Sequence, residues 1–186
     1  MHAGSSLFMV GDAVSDVYVV ENGVMAELRH DDGHTHASCL CHAGMLAGVR
    51  WVGTAAPVHA VEAMALGDVL LRSVPYELFV RATREDGRYA SAALSDMSKR
   101  VDSARRLSDC LAQTSTRDHV MSVLHAIADE YNTDAHASTL VAVPTRILQR
   151  LTGCPVSALV SAIKDLVSAG RLKADAHGVK LPAGEL

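Results

Sequence analysis

Residues 30–42 read HDDGHTHASCLCH, which brings imidazoles and thiols together within a dozen positions. Imidazole and thiolate are the preferred ligands of zinc and iron. His34, His36, Cys39, Cys41 and His42, with His59 further along, are therefore the candidates for holding a metal ion or a haem. Side chains alternate along an unbroken strand, so His34, His36 and His42 face one way and Cys39 and Cys41 the other, and at most three could share one ion. A polar hairpin turn followed by two small buried thiols accounts for the same residues. The expectation is no cofactor and no metal, with a haem, metal or redox sensor as the alternative. His59, between Val58 and Ala60, is expected to be a satisfied, partly buried histidine. Cys39 and Cys41 stand two apart on a strand, where their side chains run parallel, so reduced thiols are expected rather than a disulfide. Other catalytic patterns are missing: the sequence has no glycine-rich phosphate loop, no HExxH and no G-x-S-x-G. A non-enzyme is expected.

A second chemistry lies near the C-terminus, in TRILQRLTGCPVSALVSAIKDLVSAG, residues 145–170. Leu148 and Leu151 share one face of a first short helix, and Leu159, Ile163 and Leu166 share one face of a second, with a tight turn at Gly153 between them. The outer face of the second helix stays free. Two helices joined by a glycine turn form a helix-turn-helix, whose second helix enters the major groove of DNA; any helical bundle contains similar pairs. The segment RLKADAHGVKL that follows has a His177-Gly178 turn suited to the two-stranded wing of a winged helix. Residues 144–181 carry six Lys and Arg against two Asp, a local excess of +4 inside a chain of net charge -4. That asymmetry suits a surface that approaches phosphate.

The elements that would position these groups follow from length and pattern. A chain of 186 residues, 49% hydrophobic and 20% charged, can bury a sizeable core and most naturally makes two small domains. No run of about 18 apolar residues exists to span a bilayer. The N-terminus MHAGSSLFMVGDAV lacks the basic region and apolar stretch of a signal peptide, so a cytoplasmic protein without membrane partners is expected. From residue 7 to about 80, VYVV and VMAEL are separated by Asn22-Gly23, and Asp32-Gly33 follows. These are hairpin signals for short antiparallel strands. Further strands fit CLCHAG, HAVEAM and DVLLRS, for a roll of about eight strands.

Residues 86–112 then read as one long helix. Leu94, Met97, Val101, Ala104, Ser108 and Leu111 are spaced 3, 4, 3, 4, 3, the rhythm of a coiled-coil seam. Pairing with the same helix of a second subunit would bury that seam in a two-fold homodimer; packing of the seam against the roll is the alternative. A further helix, capped by Ser115 or Thr116, has Val120, Val123, Leu124, Ile127 and Tyr131 on its inner side, and residues 132–138 read as a polar linker. The fold class is α+β: a β-roll over 1–82, a dimerisation helix over 83–114 and a winged helix-turn-helix over 115–186.

This order of parts resembles the regulators related to cyclic-AMP receptor protein and the fumarate-nitrate regulator, the Crp/Fnr family, over nearly the whole chain. LFMVGDAVSDVYVVENGVMAEL is similar to the family's opening hairpins. HAGMLAG followed by VEAM resembles its effector-pocket segment, and LTGCPVSALVSAIKDLVSAGRL its DNA-reading motif. Against the family plan, the usual N-terminal helix and first strand are expected to be missing. The resemblance implies a dimeric transcription regulator whose partners are double-stranded DNA, RNA polymerase and a small-molecule effector not identified by the sequence.

Two departures qualify what the resemblance implies. Where cyclic-nucleotide-binding members have a Gly-Glu pair for the ribose and an Arg-Ser or Arg-Thr pair for the cyclic phosphate, this chain has Gly48-Val49 and Pro57-Val58. Proline and valine offer a phosphate neither charge nor donor; Arg50 is the only nearby substitute. Cyclic-nucleotide sensing is not expected. In the reading helix the family's base-contacting Arg or Glu positions match Val156, Ser157 and Ser161, with Val160 beside them and Lys164 a turn on. These residues can meet a thymine methyl or bond to many acceptors, but they cannot make bidentate contacts to guanine. Thr145, Arg146, Arg150, Lys164, Arg171, Lys173 and Lys180 are left for the DNA backbone. A dimeric adaptor that no longer reads DNA is the competing reading.

Overall fold

The computed structural model describes residues 1–31, 33–49, 58–132 and 142–182. Seven strands occupy the first part: β1 (Ser6–Phe8), β2 (Asp16–Asn22), β3 (Met25–Asp31), β4 (His34–Cys41), β5 (Leu46–Ala47), β6 (Glu62–Ala65) and β7 (Leu70–Pro75). They form two antiparallel sheets, ordered β1-β6-β3-β4 and β5-β2-β7. Both sheets contribute to a core that holds Phe8, Val20, Met25, Cys39, Cys41, Met45 and Ala47. This is the expected roll. It includes a short strand, β1, ahead of Gly11, where the resemblance implies none.

Three local expectations are revised. The Asn22-Gly23 turn does not close a hairpin: β2 pairs with β5 and β7, while β3 pairs with β4 and β6. Dipeptide chemistry specifies a turn, but the choice of partner strand belongs to the core, and here the chain crosses from one sheet to the other. The second expected hairpin, β3–β4, does form. The unbroken strand assumed for residues 34–42 carries a bulge, because Glu27 pairs with Cys39 and Leu28 with Ala37, leaving Ser38 over. An extra residue reverses the alternation. Ala37 and Leu40 consequently pack in one core, while Cys39 and Cys41 pack in the other.

The third revision is a helix, α1 (Tyr76–Glu85), inside the stretch expected to be strand. Pro75, at φ -51°, ends the ladder of β7 and presets the chain for a helical start. None of the residues of α1 is fully buried, but Tyr76, Phe79, Val80 and Thr83, spaced i, i+3, i+4, i+7, are half-buried on one face, a helical stripe that the strand expectation overlooks.

The long helix, α2, spans Gly87–Leu111, with Asp86 as its N-cap accepting a hydrogen bond from the Arg88 backbone N–H at 2.8 Å. It does not lay its apolar seam on the roll. Leu94 is 71% exposed, and Met97, Val101 and Leu111 are exposed as well. The buried stripe is instead Asp96, Arg100, Ser103, Leu107 and Cys110. The polar part of that stripe has a physical reason: β4 is the last strand of its sheet, and an edge presents unpaired backbone groups. Ser103 Oγ accepts from the Leu40 backbone N–H at 2.8 Å, and Asp96 Oδ1 from the Leu46 N–H at 2.8 Å. Apolar side chains could not satisfy those donors.

The remaining elements are α3 (Thr116–Asn132), α4 (Thr145–Thr152), α5 (Val156–Ser168), β8 (Lys173–Asp175) and β9 (Gly178–Lys180). Val120, Val123, Leu124 and Ile127 of α3 are buried as expected, and Tyr131 is half-buried. The stretch 133–138 of the expected linker lies outside the described residues. A second core joins the helical side of the roll, through Ala26, Leu28, Ala37, Leu40 and Met64, to Leu124, Leu148, Leu151, Leu159 and Val179. No single helix among the described residues is long and apolar enough to cross a membrane.

Candidate nucleic-acid interface and effector pocket

The interface is built on α4 and α5, whose axes bend by 115° at the turn between them. Gly153 ends α4 in the left-handed conformation, at φ 66°, and a Cβ there would meet the Thr35 carbonyl oxygen at 3.1 Å. Glycine is thus required both for backbone freedom and for the approach of the roll. Pro155 precedes α5 at φ -55° and sets its start. Ile147, Leu148 and Leu151 of α4 and Leu159, Ala162, Ile163 and Leu166 of α5 are buried, which fixes the orientation of the outer face.

On that outer face Val156, Ser157, Val160, Ser161 and Lys164 are all exposed, with Val156 at 57%. Thr145 and Arg146 are exposed at the start of α4. Strands β8 and β9 form the expected wing, with Lys173 opposite Lys180 and Asp175 opposite Gly178. Residue Val143 bridges Val179, so the wing is tied to the segment entering α4. Gly178, at φ 142°, makes this possible, since a Cβ would lie 2.3 Å from the Val143 carbonyl oxygen. Exposed Arg171 and Lys173 flank the wing. Lys180 Nζ donates to Asp175 Oδ2 at 2.8 Å, and that hydrogen bond holds the Asp175 carboxyl below its usual range.

Arg150 departs from its expected role. Its Nη2 donates to Glu62 Oε2 at 2.5 Å and its Nη1 to Met64 Sδ at 3.2 Å, so α4 is fastened to strand β6 of the roll. Glu62 is essentially inaccessible; its carboxylate also accepts from Ser6 Oγ at 2.5 Å and lies 3.1 Å from His30 Nε2. Burial works against the charged carboxylate, but the hydrogen bonds from Arg150 and Ser6 outweigh it and hold the carboxyl below its usual range. Next to this clamp a cleft of about 310 Å3 separates Gly33, His34 and Thr35 of the roll from Gln149, Gly153 and Cys154. Sequence reasoning missed Glu62. Its only signal was a carboxylate in an otherwise apolar stretch, VEAM, where burial demands a partner.

Of the effector-pocket residues, Gly48 and Val49 are described. Gly48 has φ 81°, and a Cβ there would meet the His59 ring at 3.2 Å; Val49 is buried. Val58 is 49% exposed and bridges Ala13. Arg50 and Pro57 lie outside the described residues. His59 stacks on Phe8 at 3.6 Å between ring centroids, and burial lowers its pKa below the ordinary histidine value. It is not the satisfied histidine expected, since its buried Nδ1 has no hydrogen-bond partner.

The metal candidates do not converge. Among the described residues no group of three His, Cys, Asp or Glu could share an ion. His34 is exposed, and His42 turns to Glu130 of α3, with Nε2 3.6 Å from Oε2. His42 directly follows Cys41, beyond the Ser38 bulge, and by simple alternation faces away from both thiols. Cys39 and Cys41 are free thiols with sulfurs 4.0 Å apart.

Sequence reasoning also missed a buried ionic cluster beside these thiols. Arg100 Nη1 donates to Glu27 Oε1 at 2.7 Å and its Nε to Asp96 Oδ2 at 2.8 Å, and Arg100, Glu27 and Asp96 are all buried. Burial works against the guanidinium charge, but the Glu27 and Asp96 carboxylates bonded to it outweigh that and keep the group charged. Asp96 and Arg100 are spaced i, i+4, which in a sequence reads as an ordinary surface pair.

No known protein-family model matches the chain, and no curated protein matches it in sequence. Solved structures do. A transcriptional regulator of the CRP family from Thermus thermophilus superposes with a TM-score of 0.80 at 15% identity, covering 97% of this chain and 90% of the other. The c-di-GMP-responsive global regulator CLP of Xanthomonas campestris gives 0.77 at 21% identity, over 97% and 91%. FixK2 of Bradyrhizobium japonicum gives 0.72 at 17%, over 97% and 89%. The architecture of β-roll, long helix and C-terminal helix-turn-helix is the one these Crp/Fnr-type regulators share.

Proposed function

We propose that this chain is a homodimeric, DNA-binding transcription regulator of Crp/Fnr type that does not respond to cyclic nucleotides. The observation that carries the reading is the outer face of α5, exposed from Val156 to Lys164 while the inner face is locked into the core. A helix held in this way, followed by a wing with Lys173 exposed, fits the major groove with its flanks on phosphates. Solved regulators with the same architecture support it.

The dimer rests on α2. Leu94, Met97, Val101 and Leu111 form an apolar stripe on the side of the helix away from the roll, and contiguous exposed apolar surface marks an interface. Parallel packing of two such helices would set two reading helices one DNA turn apart. RNA polymerase is the further partner this reading carries.

The effector reading rests on Gly48-Val49 and Pro57-Val58, which supply no cation and no hydroxyl to a cyclic phosphate. The domain division proposed is 1–82, 83–114 and 115–186, with α2 joining the roll to the DNA-binding part and α1 crossing the first boundary.

Binding of purified protein to duplex DNA, followed by fluorescence anisotropy over a salt series, tests the reading. The expected outcome is affinity that falls steeply with salt and discriminates modestly between sequences, because phosphate contacts outnumber base contacts. Absence of binding at low salt would overturn it in favour of an adaptor that uses the α5 face for a protein.

A further inference from the structure

The interior of the roll contains a group of soft donors with no part in the reading above. Cys39 and Cys41 are buried free thiols with Sγ atoms 4.0 Å apart. Met25 is the cross-strand partner of Cys41, and Glu27 of Cys39. Directly opposed side chains on one sheet face have Cβ atoms about 5 Å apart. Met25 and Met45 belong to the same buried cluster as the two cysteines. The Ser38 bulge creates this arrangement by returning both thiols to the interior face.

A buried cation stands beside the thiols. Arg100 uses Nη1 and Nε for Glu27 and Asp96, while its Nη2, also buried, has no hydrogen-bond partner. A buried donor with nothing to bond is costly unless the site is completed by something else.

We propose that Cys39 and Cys41, with the Met25 thioether as third donor, form a binding site for a soft monovalent cation, Cu(I). Thiolate and thioether are the ligands that select Cu(I) over harder ions. A metal–thiolate bond of about 2.3 Å places two sulfurs 4.0 Å apart when the angle at the metal is about 120°, the angle of a trigonal site with one position left. Zn(II) would require four ligands, and no third His, Cys, Asp or Glu stands among the described residues to supply them. Loading is ligand exchange without change of oxidation state. One Cu(I) displaces two thiol protons, which leave to solvent, and the resulting anionic dithiolate centre faces the Arg100 guanidinium. The orphaned Nη2 then gains a sulfur acceptor. Because Arg100 belongs to α2, the ion would touch the helix that carries the exposed seam. The site stands independently of whether the chain binds DNA.

The test uses the reduced full-length protein under anaerobic conditions, titrated with Cu(I) against a coloured Cu(I) chelator, with proton release followed in weak buffer. Expected are one equivalent withheld from the chelator, two protons released per ion, and weaker binding as pH falls. The equivalent is lost in Cys39→Ser and Cys41→Ser and kept in Cys110→Ser and Cys154→Ser. X-ray absorption of the loaded wild type needs no variant to fold and should show sulfur ligands only. No withheld equivalent, retention of it in Cys41→Ser, nitrogen or oxygen ligands at the metal, or equally tight four-coordinate binding of Zn(II) would each overturn the proposal.

Discussion

Replacing Arg150 by Met and, separately, Glu62 by Gln should have unequal consequences, and the inequality follows from burial. The Glu62 side chain is 1% exposed, whereas that of Arg150 is 32% exposed. Arg150→Met keeps the aliphatic stem but strands a carboxylate that water cannot reach. Breaking a buried pair from one side costs about 3–5 kcal/mol. Ser6 and His30 remain as partners, so about 2–4 kcal/mol is expected. Glu62→Gln leaves a cation that water can solvate and should cost about 1 kcal/mol or less. Urea unfolding at fixed protein concentration measures both. The pH dependence carries an independent sign. In the wild type the Glu62 carboxyl is depressed, so its contribution is present above its unfolded value of 4.5 and is lost as pH falls through the lower folded value. In Arg150→Met the stranded carboxyl should take up a proton more readily, and the stability deficit should shrink toward acid. On DNA, Glu62→Gln frees Arg150 for a phosphate, which should steepen the slope of log affinity against log salt by about 0.9 per protomer. Equal costs for the two variants, or an unchanged salt slope in Glu62→Gln, would refute the view that Arg150 is a clamp held away from DNA.

Val101→Asp should convert the dimer to monomers in analytical ultracentrifugation. Two carboxylates would face each other across the seam at a cost of several kcal/mol, while unfolding of the monomer changes little, since Val101 is 49% exposed within one chain; a wild-type monomer at micromolar concentration contradicts this. Calorimetry with millimolar cyclic AMP or cyclic GMP should give no saturable heat, and saturation in the micromolar range would show that a cation reaches the phosphate after all. Lys164→Ala should weaken all duplexes alike, whereas Ser157→Arg should create a preference for guanine worth about 1–3 kcal/mol, read by competition between sequences. If Ser157→Arg changes affinity without changing preference, the α5 face does not meet base edges.

Local rules were sufficient for the parts of this protein whose pattern has one solution. The apolar positions of α4 and α5, the glycine between them, and the turn before β9 specify a bihelical unit with a wing, because each segment buries one narrow stripe and the connections are too short for alternatives. The length of α2 is legible for the same reason. What the sequence leaves open is pairing. Residues Leu94, Met97, Val101 and Leu111 and residues Asp96, Arg100, Ser103 and Leu107 are two stripes of one helix, and the seam pattern alone leaves packing on the roll open as the alternative to pairing with a second subunit. The tertiary structure turned the second inward because two edge strands need polar partners, β4 for the Leu40 N–H and β5 for the Leu46 N–H. Likewise Asn22-Gly23 dictates a turn, but only the two-sheet core decides that β2 and β3 part there. A single unpaired residue, Ser38, moves Cys39 and Cys41 to the opposite face from Leu40's neighbours. The Arg150–Glu62 clamp joins positions 88 residues apart. No spacing rule reaches that far, since long-range ion pairs are chosen by where the fold leaves a buried charge without water.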